Sequence, residues 1–132
     1  MTKTQDSFII PRNVELVHSG EDYFSRLVTV IEEAQEEIYM LMYLFENDAT
    51  GKKIINALKE AALRQVAVYI VFDGLGSLSF PSDEVIRLKE TGINIRFFAP
   101  LFSTYSFYIG RRLHSKIVVA DEKIALIGGI NI

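Results

Sequence analysis

A strand–helix–strand pattern decides the fold, and it is found in residues 37–73, EIYMLMYLFENDATGKKIINALKEAALRQVAVYIVFD. Residues 37–45 form a near-continuous apolar run, which is typical of a strand covered on both faces and predicts a central position in a sheet. Asp48 can cap the helix that follows, because its carboxylate accepts hydrogen bonds from the first free N–H groups of a helix. The β-branched and aromatic stretch Val66–Phe72 predicts the next strand, and the turn signal Asp73-Gly74 ends it.

The same alternation extends in both directions from this unit. Before it, Val14–Val17 predicts a short first strand, and apolar residues at helical spacing predict a helix over Glu21–Gln35. After it, a third helix is expected to open at residue 82 or 83 and to end at Gly92, and Ile93–Phe98 predicts another strand. Alternating strands and helices indicate an α/β fold, with a mixed, mostly parallel sheet flanked by helices.

The last part of the chain predicts a hairpin made of Leu113–Ala120 and Lys123–Ile127. Side chains alternate between the two faces of a strand, so His114 and Lys116 are expected to point to the same face. The following residues of that face are apolar, which leaves an imidazole and an ammonium at one end of a buried row. An imidazole can attack phosphorus or relay a proton near neutral pH, and an ammonium balances charge on phosphate oxygens. The pair therefore indicates phosphoryl-transfer chemistry.

Residues around the hairpin complete the candidate site. Gly128 and Gly129 permit a tight turn at which backbone can approach a ligand closely, and Asn131 brings a carboxamide to the same area. Together they could hold an anion. Asp121 lies at the hairpin turn, about five residues or ~16 Å of extended strand from Lys116, so a turn-fixing role and a role in the site both stay open.

The spacing of these residues resembles the signature of the phospholipase D superfamily. His-x-Lys, four residues, Asp, six residues and Gly-Gly-x-Asn match in register at His114, Lys116, Asp121, Gly128, Gly129 and Asn131. Residues 43–48, 61–64 and 71–77 are similar to the N-terminal half of bacterial cardiolipin synthases, although that family commonly has glycine where this chain has Gln65. The resemblance implies one phospholipase D-like domain over residues 1–132, with a single His-x-Lys motif and with the second half absent.

The resemblance also implies a mechanism. In this family two halves face each other and each contributes one histidine. One histidine attacks phosphorus to give a phosphohistidine, while the other protonates the leaving alcohol and activates the incoming one. By this resemblance His114 would be the nucleophile, and Asp121 would be the orienting carboxylate. Lys116 and Asn131 would clamp the phosphate beside Gly129. The reaction would convert two phosphatidylglycerol molecules into cardiolipin and glycerol, and no metal or cofactor is implied.

Composition bounds where the protein can act. The chain has 132 residues, of which 49% are hydrophobic, enough for one domain with a real core. A net charge of −3 provides no overall positive field, so nucleic acid is not expected as a partner. The longest apolar run, residues 38–45, is far shorter than the ~20 residues of a membrane-spanning helix. We expect a cytoplasmic protein, peripheral at the inner face of the cell membrane. Its expected partners are a phospholipid substrate, the membrane surface and a second phospholipase D-like half or a homodimer mate.

Other interpretations stay open. A homodimeric nuclease or phosphodiesterase of the same superfamily would build the site from two copies, and a non-catalytic anion-binding module would keep only the cradle. His114 alone would be interpreted as a core histidine, but Lys116 and the glycine turn favour function. The aromatic segment 97–108 is either satellite core under a long loop or an acyl-chain channel. In the second case Arg111 and Arg112 are candidate substrate-binding residues near anionic head groups.

Overall fold

The computed structural model of the protein describes residues 10–100 and 110–132, together with the backbone of two short strands at residues 102–103 and 106–107. Within these residues the elements, in chain order, are α1 (Gly20–Glu33), β1 (Glu37–Met42), α2 (Ala49–Leu63), β2 (Ala67–Asp73), α3 (Ser82–Glu90), β3 (Asn94–Phe98), β4 (Phe102–Ser103), β5 (Ser106–Phe107), β6 (Ile117–Ala120) and β7 (Ile124–Ile127). Most of the aromatic segment 97–108 lies outside the residues whose side chains are described.

Five strands form one mixed sheet, in the order β3-β2-β1-β6-β7. Strands β1, β2 and β3 are parallel, and β6 is antiparallel to both β1 and β7. The predicted mixed sheet flanked by helices is confirmed, and β1 is central as expected. Strands β4 and β5 pair separately as an antiparallel ribbon. Strands β1, β2 and β3 lie side by side in chain order, so right-handed crossovers place α2 and α3 on the same face of the sheet.

The core lies between that face of the sheet and the helices. It is formed by alternate strand residues and the apolar sides of α1 and α2, including Leu27, Ile31, Ile38, Met40, Met42, Ile54, Leu58, Val68, Ile70 and Phe72. The opposite face carries Tyr39 and Tyr69, which stack with 4.9 Å between ring centroids and are 40% and 38% exposed. The expectation that β1 is covered on both faces is therefore wrong for the described residues, because its alternate side chains stay accessible.

Local signals at the helix ends are confirmed. The Asp48 carboxylate accepts a hydrogen bond from the N–H of Gly51 at 2.8 Å, which caps α2. Gly92, with φ 87°, follows the end of α3 in the left-handed region. Gln65 also has a positive φ of 71°, and its N–H donates to the carbonyl of Ala62 in the turn that closes α2. The turn at which the resembled family has glycine thus forms here with glutamine.

One predicted strand is absent, and the predicted start of another is wrong. Val14–Val17 is not a strand, and Val14 and Leu16 are 80% and 75% exposed, because no strand of the described sheet pairs with this segment. Strand β6 begins at Ile117 rather than at Leu113, and residues 111–116 are an irregular segment that leads into it.

One edge of the sheet positions the candidate site. Strand β1 ends at Met42, β2 ends at Asp73, and the antiparallel strand β6 begins at Ile117 beside Leu41. Residues that follow β1 and β2 therefore lie near those that precede β6. Within the described ranges, no helix is both long enough and apolar enough to cross a membrane.

Candidate active site

His114 and Lys116 lie against the same ring, that of Tyr43. The imidazole of His114 and the Tyr43 ring have their centroids 5.0 Å apart, and Lys116 Nζ is 5.5 Å from the Tyr43 centroid. Lys116 Nζ also donates a hydrogen bond to the backbone carbonyl of His114 at 2.9 Å. Both side chains thus approach one ring from one segment of chain, and the shared face predicted for them stays a prediction because residues 111–116 are not in a strand. His114 is exposed.

The ammonium of Lys116 is buried but has no carboxylate partner. Lys116 is 5% exposed and precedes Val118 and Ala120, the buried residues of β6. None of the ion pairs in the described part of the chain involves it. A buried charge is costly unless it is paired. The arrangement therefore suits an anion that enters from solvent and meets the ammonium beside the exposed imidazole.

The last two residues lie beside the segment that carries Tyr43. Asn131 Oδ1 accepts a hydrogen bond from the N–H of Leu44 at 3.3 Å. Ile132 donates its N–H to the carbonyl of Leu44 at 3.2 Å and accepts from the N–H of Glu46 at 2.8 Å. These bonds place the carboxamide of Asn131 next to the residue that touches both His114 and Lys116.

The glycine turn is also close to this group. Gly128 donates its N–H to the carbonyl of Lys116 at 3.2 Å. A Cβ atom added at Gly128 or Gly129 would have no neighbour within 4 Å in the described part of the chain, and both residues are exposed. The backbone here is open to a ligand, although contact of Gly129 with substrate stays a prediction.

Asp121 lies at the end of β6 that is remote from the His-x-Lys segment. Its carboxylate accepts hydrogen bonds from the backbone N–H groups of Glu37, Gln35 and Glu36, at 3.0, 2.9 and 2.8 Å. These bonds lower the pKa of Asp121 below its ordinary value. The carboxylate ties the hairpin to the start of β1, so the structure does not bring it together with the imidazole. Its contacts match the turn-fixing alternative, and its catalytic role stays a prediction.

The two arginines before the motif have different surroundings. Arg112 donates Nε and Nη2 to the carboxylate of Asp73, at 3.1, 3.2 and 2.7 Å, and Nη2 also donates to the carbonyl of Ala99 at 2.8 Å. Its Nη1 atom is buried and has no hydrogen-bond partner among the described residues. Arg111 is exposed. Substrate binding by Arg111 and Arg112 stays a prediction.

Sequence reasoning did not assign Asp73 to the site. Asp73 is 0% exposed, and besides Arg112 it accepts from the N–H groups of Leu75, Gly76 and Leu113, at 2.9, 3.0 and 2.8 Å. Burial acts to raise the pKa of Asp73, but Arg112 and the backbone donors outweigh it, so the pKa is lowered. The carboxylate is therefore ionised at neutral pH and faces a cation.

Tyr43 was missed as well. Its carbonyl accepts a hydrogen bond from Ser77 Oγ at 3.0 Å, and the same hydroxyl accepts from the N–H of Phe45 at 3.1 Å. A signal for both residues existed in the sequence, because Asp73 directly follows one predicted strand and Tyr43 lies near the end of another. The carboxyl ends of neighbouring parallel strands meet at one sheet edge, where open α/β sheets bind ligands.

In the described residues, no group of three or more His, Cys, Asp or Glu side chains is arranged to hold a metal ion. That the chemistry needs no metal stays a prediction.

The fold is similar to that of solved structures, one of them a phospholipase D family member. A phospholipase D family member, Nuc from Salmonella typhimurium, aligns with a TM-score of 0.59 over 81% of this chain and 62% of that chain, at 24% sequence identity. NucT from Helicobacter pylori aligns with a TM-score of 0.65 over 84% of this chain and 67% of that chain, at 22% identity. At such identities the agreement concerns the fold alone.

Sequence comparison gives the family. The family described as "Cardiolipin synthase, PLD-like domain" matches residues 27–132, so the chain belongs to this family. Cardiolipin synthase 1 of Bacillus cereus is 34% identical over 119 residues, which are 89% of this chain and 23% of that protein. Cardiolipin synthase B of Escherichia coli K12 is 35% identical over 120 residues, 89% of this chain and 29% of that protein. The chain thus spans less than a third of the length of these relatives.

Proposed function

We propose that this chain supplies one half of an active site that transfers a phosphatidyl group from one phosphatidylglycerol molecule to another. The observation that carries the proposal is the buried ammonium of Lys116, which has no carboxylate partner among the described residues and lies beside the exposed imidazole of His114. A phosphodiester anion satisfies this ammonium and presents its phosphorus to the imidazole. The family and the named relatives support the lipid substrate.

The first step is a displacement at phosphorus. A nitrogen of His114 attacks, a P–N bond forms, and the P–O bond to the leaving glycerol breaks. Lys116 and the Nδ2 group of Asn131 hold the non-bridging oxygens on which negative charge develops. A histidine of a second phospholipase D-like half donates the proton that the leaving glycerol oxygen needs.

The second step restores the enzyme. The same second histidine accepts a proton from a hydroxyl of the incoming phosphatidylglycerol, whose oxygen attacks phosphorus. The P–N bond breaks and cardiolipin leaves. A single imidazole cannot be nucleophile and leaving-group acid at once, so the proposal requires a second half, in the same polypeptide or in a homodimer mate. The chain by itself would then not turn over phosphatidylglycerol.

The proposed lipid substrate also leads to a proposal about where the protein acts. Phosphatidylglycerol is held in a bilayer, so the site must meet the membrane surface, at the inner face if the protein is cytoplasmic. Exposed Arg111, close in sequence to His114, is suited to an anionic head group.

A chimera tests the function. Residues 1–132 replace the matching segment of cardiolipin synthase B of Escherichia coli, and the purified chimera is incubated with phosphatidylglycerol vesicles in the presence of a chelator. Mass spectrometry should detect cardiolipin and glycerol in equal amounts. His114→Ala should abolish both products.

The chain offers a matched control, because it contains one other histidine. His18 is exposed and lies outside the site, so His18→Ala should leave transfer unchanged. Transfer that survives His114→Ala, or a folded chimera that makes no cardiolipin, would contradict the proposal. Degradation of DNA without transfer would favour the nuclease alternative.

A further inference from the structure

We infer that Asp73 and Arg112 form a buried clamp that positions His114 for attack. This inference concerns the same site, and it rests on the proposed function for the reaction that His114 performs. Asp73 and Arg112 are positioning residues in this account, since neither needs to touch the substrate.

The clamp holds the chain segment that carries the nucleophile. Asp73 Oδ2 accepts the N–H of Leu113 at 2.8 Å, and Leu113 directly precedes His114. Arg112, the residue before Leu113, binds the same carboxylate through its guanidinium. Two consecutive residues of an otherwise irregular segment are thereby attached to the end of β2, a rigid strand with parallel neighbours on both sides.

The clamp also holds the opposite wall of the site. Asp73 Oδ1 accepts the N–H groups of Leu75 and Gly76, which fixes the loop after β2. That loop packs on Tyr43 so closely that a Cβ at Gly76 would lie 2.3 Å from the Tyr43 carbonyl oxygen. The ring of Tyr43 in turn contacts the imidazole of His114. One carboxylate therefore sets both the backbone before His114 and the ring against which its imidazole rests.

The contacts of Arg112 favour this role over direct binding of substrate. Its side chain is 17% exposed and its partner Asp73 is 0% exposed. Nη2 is shared between Asp73 and the carbonyl of Ala99. A phosphate that bound Arg112 would have to compete with a fully buried carboxylate, whereas exposed Arg111 makes none of the ion pairs found in the described part of the chain.

Asp73→Asn is the central test, with Glu84→Gln as matched control. Glu84 is also a buried carboxylate that pairs with a cation, Lys59, but it lies on α3 away from the His114 segment. In the chimera, Asp73→Asn should lower kcat about 100-fold and change KM by no more than about twofold, because a misplaced nucleophile loses rate rather than binding. Glu84→Gln should leave both constants near those of the parent chimera.

A spectroscopic measurement on the chain itself separates positioning from stability. In the folded chain, the ring protons of His114 should show a ring-current shift from Tyr43. Asp73→Asn should move these resonances towards the shifts of an unstacked histidine, and Glu84→Gln should not. Arg112→Lys should retain more of kcat than Arg112→Met, because it keeps the positive charge.

The outcomes distinguish the two proposals. If the parent chimera transfers and Asp73→Asn transfers equally well with unchanged His114 resonances, the clamp is refuted and the proposed function stands. If Glu84→Gln lowers kcat as much as Asp73→Asn, the effect is one of stability and the clamp is again refuted. If the parent chimera makes no cardiolipin, the proposed function fails, while the His114 resonances still test the clamp.

Discussion

At the scale of single residues, Lys116 suits the proposed function but lowers the stability of the folded chain. Its ammonium is 5% exposed and has no carboxylate partner in the described part of the chain, so the folded protein carries the cost of removing a charge from water. The same ammonium is the group that a phosphodiester would satisfy. A binding site kept ready for an anion is expected to be destabilising when empty.

Lys116→Met should therefore raise the free energy of unfolding by about 1 kcal/mol or more while it abolishes phosphodiester chemistry. Methionine keeps the length of the side chain and removes the charge. Urea denaturation of the two proteins measures the difference. Lys59→Met is the control, because Lys59 is paired with Glu84 and its loss should lower the free energy of unfolding by about 1–3 kcal/mol. A large loss of stability in Lys116→Met would show that the ammonium is paired after all.

The residues of the site differ in how visible they are in the sequence. His114 and Lys116 could be recognised because they follow the two-residue period of an extended segment, and Asn131 because it follows the glycine turn after the same hairpin. Tyr43 and Asp73 could not be assigned a role, because their contacts with residues 112–116 depend on which strands become neighbours. The buried pairing of Arg112 with Asp73 was hidden for the same reason.

At the scale of elements, the turn after α2 contains a strained residue. Gln65 has φ 71°, a conformation that glycine adopts without steric cost and that other residues adopt at about 1–2 kcal/mol. Gln65→Gly should raise the free energy of unfolding by up to about 1 kcal/mol, since the added freedom of the unfolded chain offsets part of the gain. Thermal and urea denaturation measure the change. Lys53→Gly, at an exposed position inside α2, should instead lower it by about 1 kcal/mol. Destabilisation by Gln65→Gly would contradict this account of the turn.

The hydrogen bonds between Asp121 and the start of β1 predict that the free energy of unfolding falls at acidic pH. The pKa of Asp121 is lowered in the folded chain by its three backbone donors, Glu37 first. As pH falls below the ordinary value of 3.8, the unfolded chain binds its proton first, so the stability from this carboxylate is lost. Asp121→Asn should lower the free energy of unfolding by up to about 2 kcal/mol at neutral pH, the upper end of the range for removal of a capping side chain, because the carboxamide keeps only one acceptor oxygen. It should also weaken the loss of stability in acid.

Denaturation at a series of pH values checks this prediction. Part of the acid dependence should remain in Asp121→Asn, because the pKa of Asp73 is lowered as well. Asp83→Asn is the control, since its ion pair with Arg87 is exposed and contributes little. An Asp121→Asn profile parallel to that of the wild type would contradict the anchoring role.

The elements themselves were predictable where the signals are local. The cap of α2, the end of α3 and the hairpin turn depend on residues within a few positions of each other, and they were confirmed. Val14–Val17 was mistaken for a strand because β propensity does not show whether a partner strand exists. The open face of β1 was missed because an apolar run looks the same whether or not a further layer covers it.

At the scale of the whole molecule, the chain contains one His-x-Lys motif and spans less than a third of the relatives it matches. The proposed transfer needs a second acid, which this chain does not supply next to His114 in its described part. The step in which His114 attacks can nevertheless be isolated. If the leaving group is an aryloxide, which departs without a proton, the attack needs only His114 and its phosphate clamp.

The most direct test is therefore to mix the chain with bis(p-nitrophenyl) phosphate and follow nitrophenolate release, then to locate the adduct by mass spectrometry under alkaline conditions. We expect a burst of about one equivalent and a nitrophenyl phosphate group on His114, both lost in His114→Ala and kept in His18→Ala. No burst, an adduct on another residue, or an equal burst from His114→Ala would contradict the claim that His114 and Lys116 form a phosphodiester-cleaving pair.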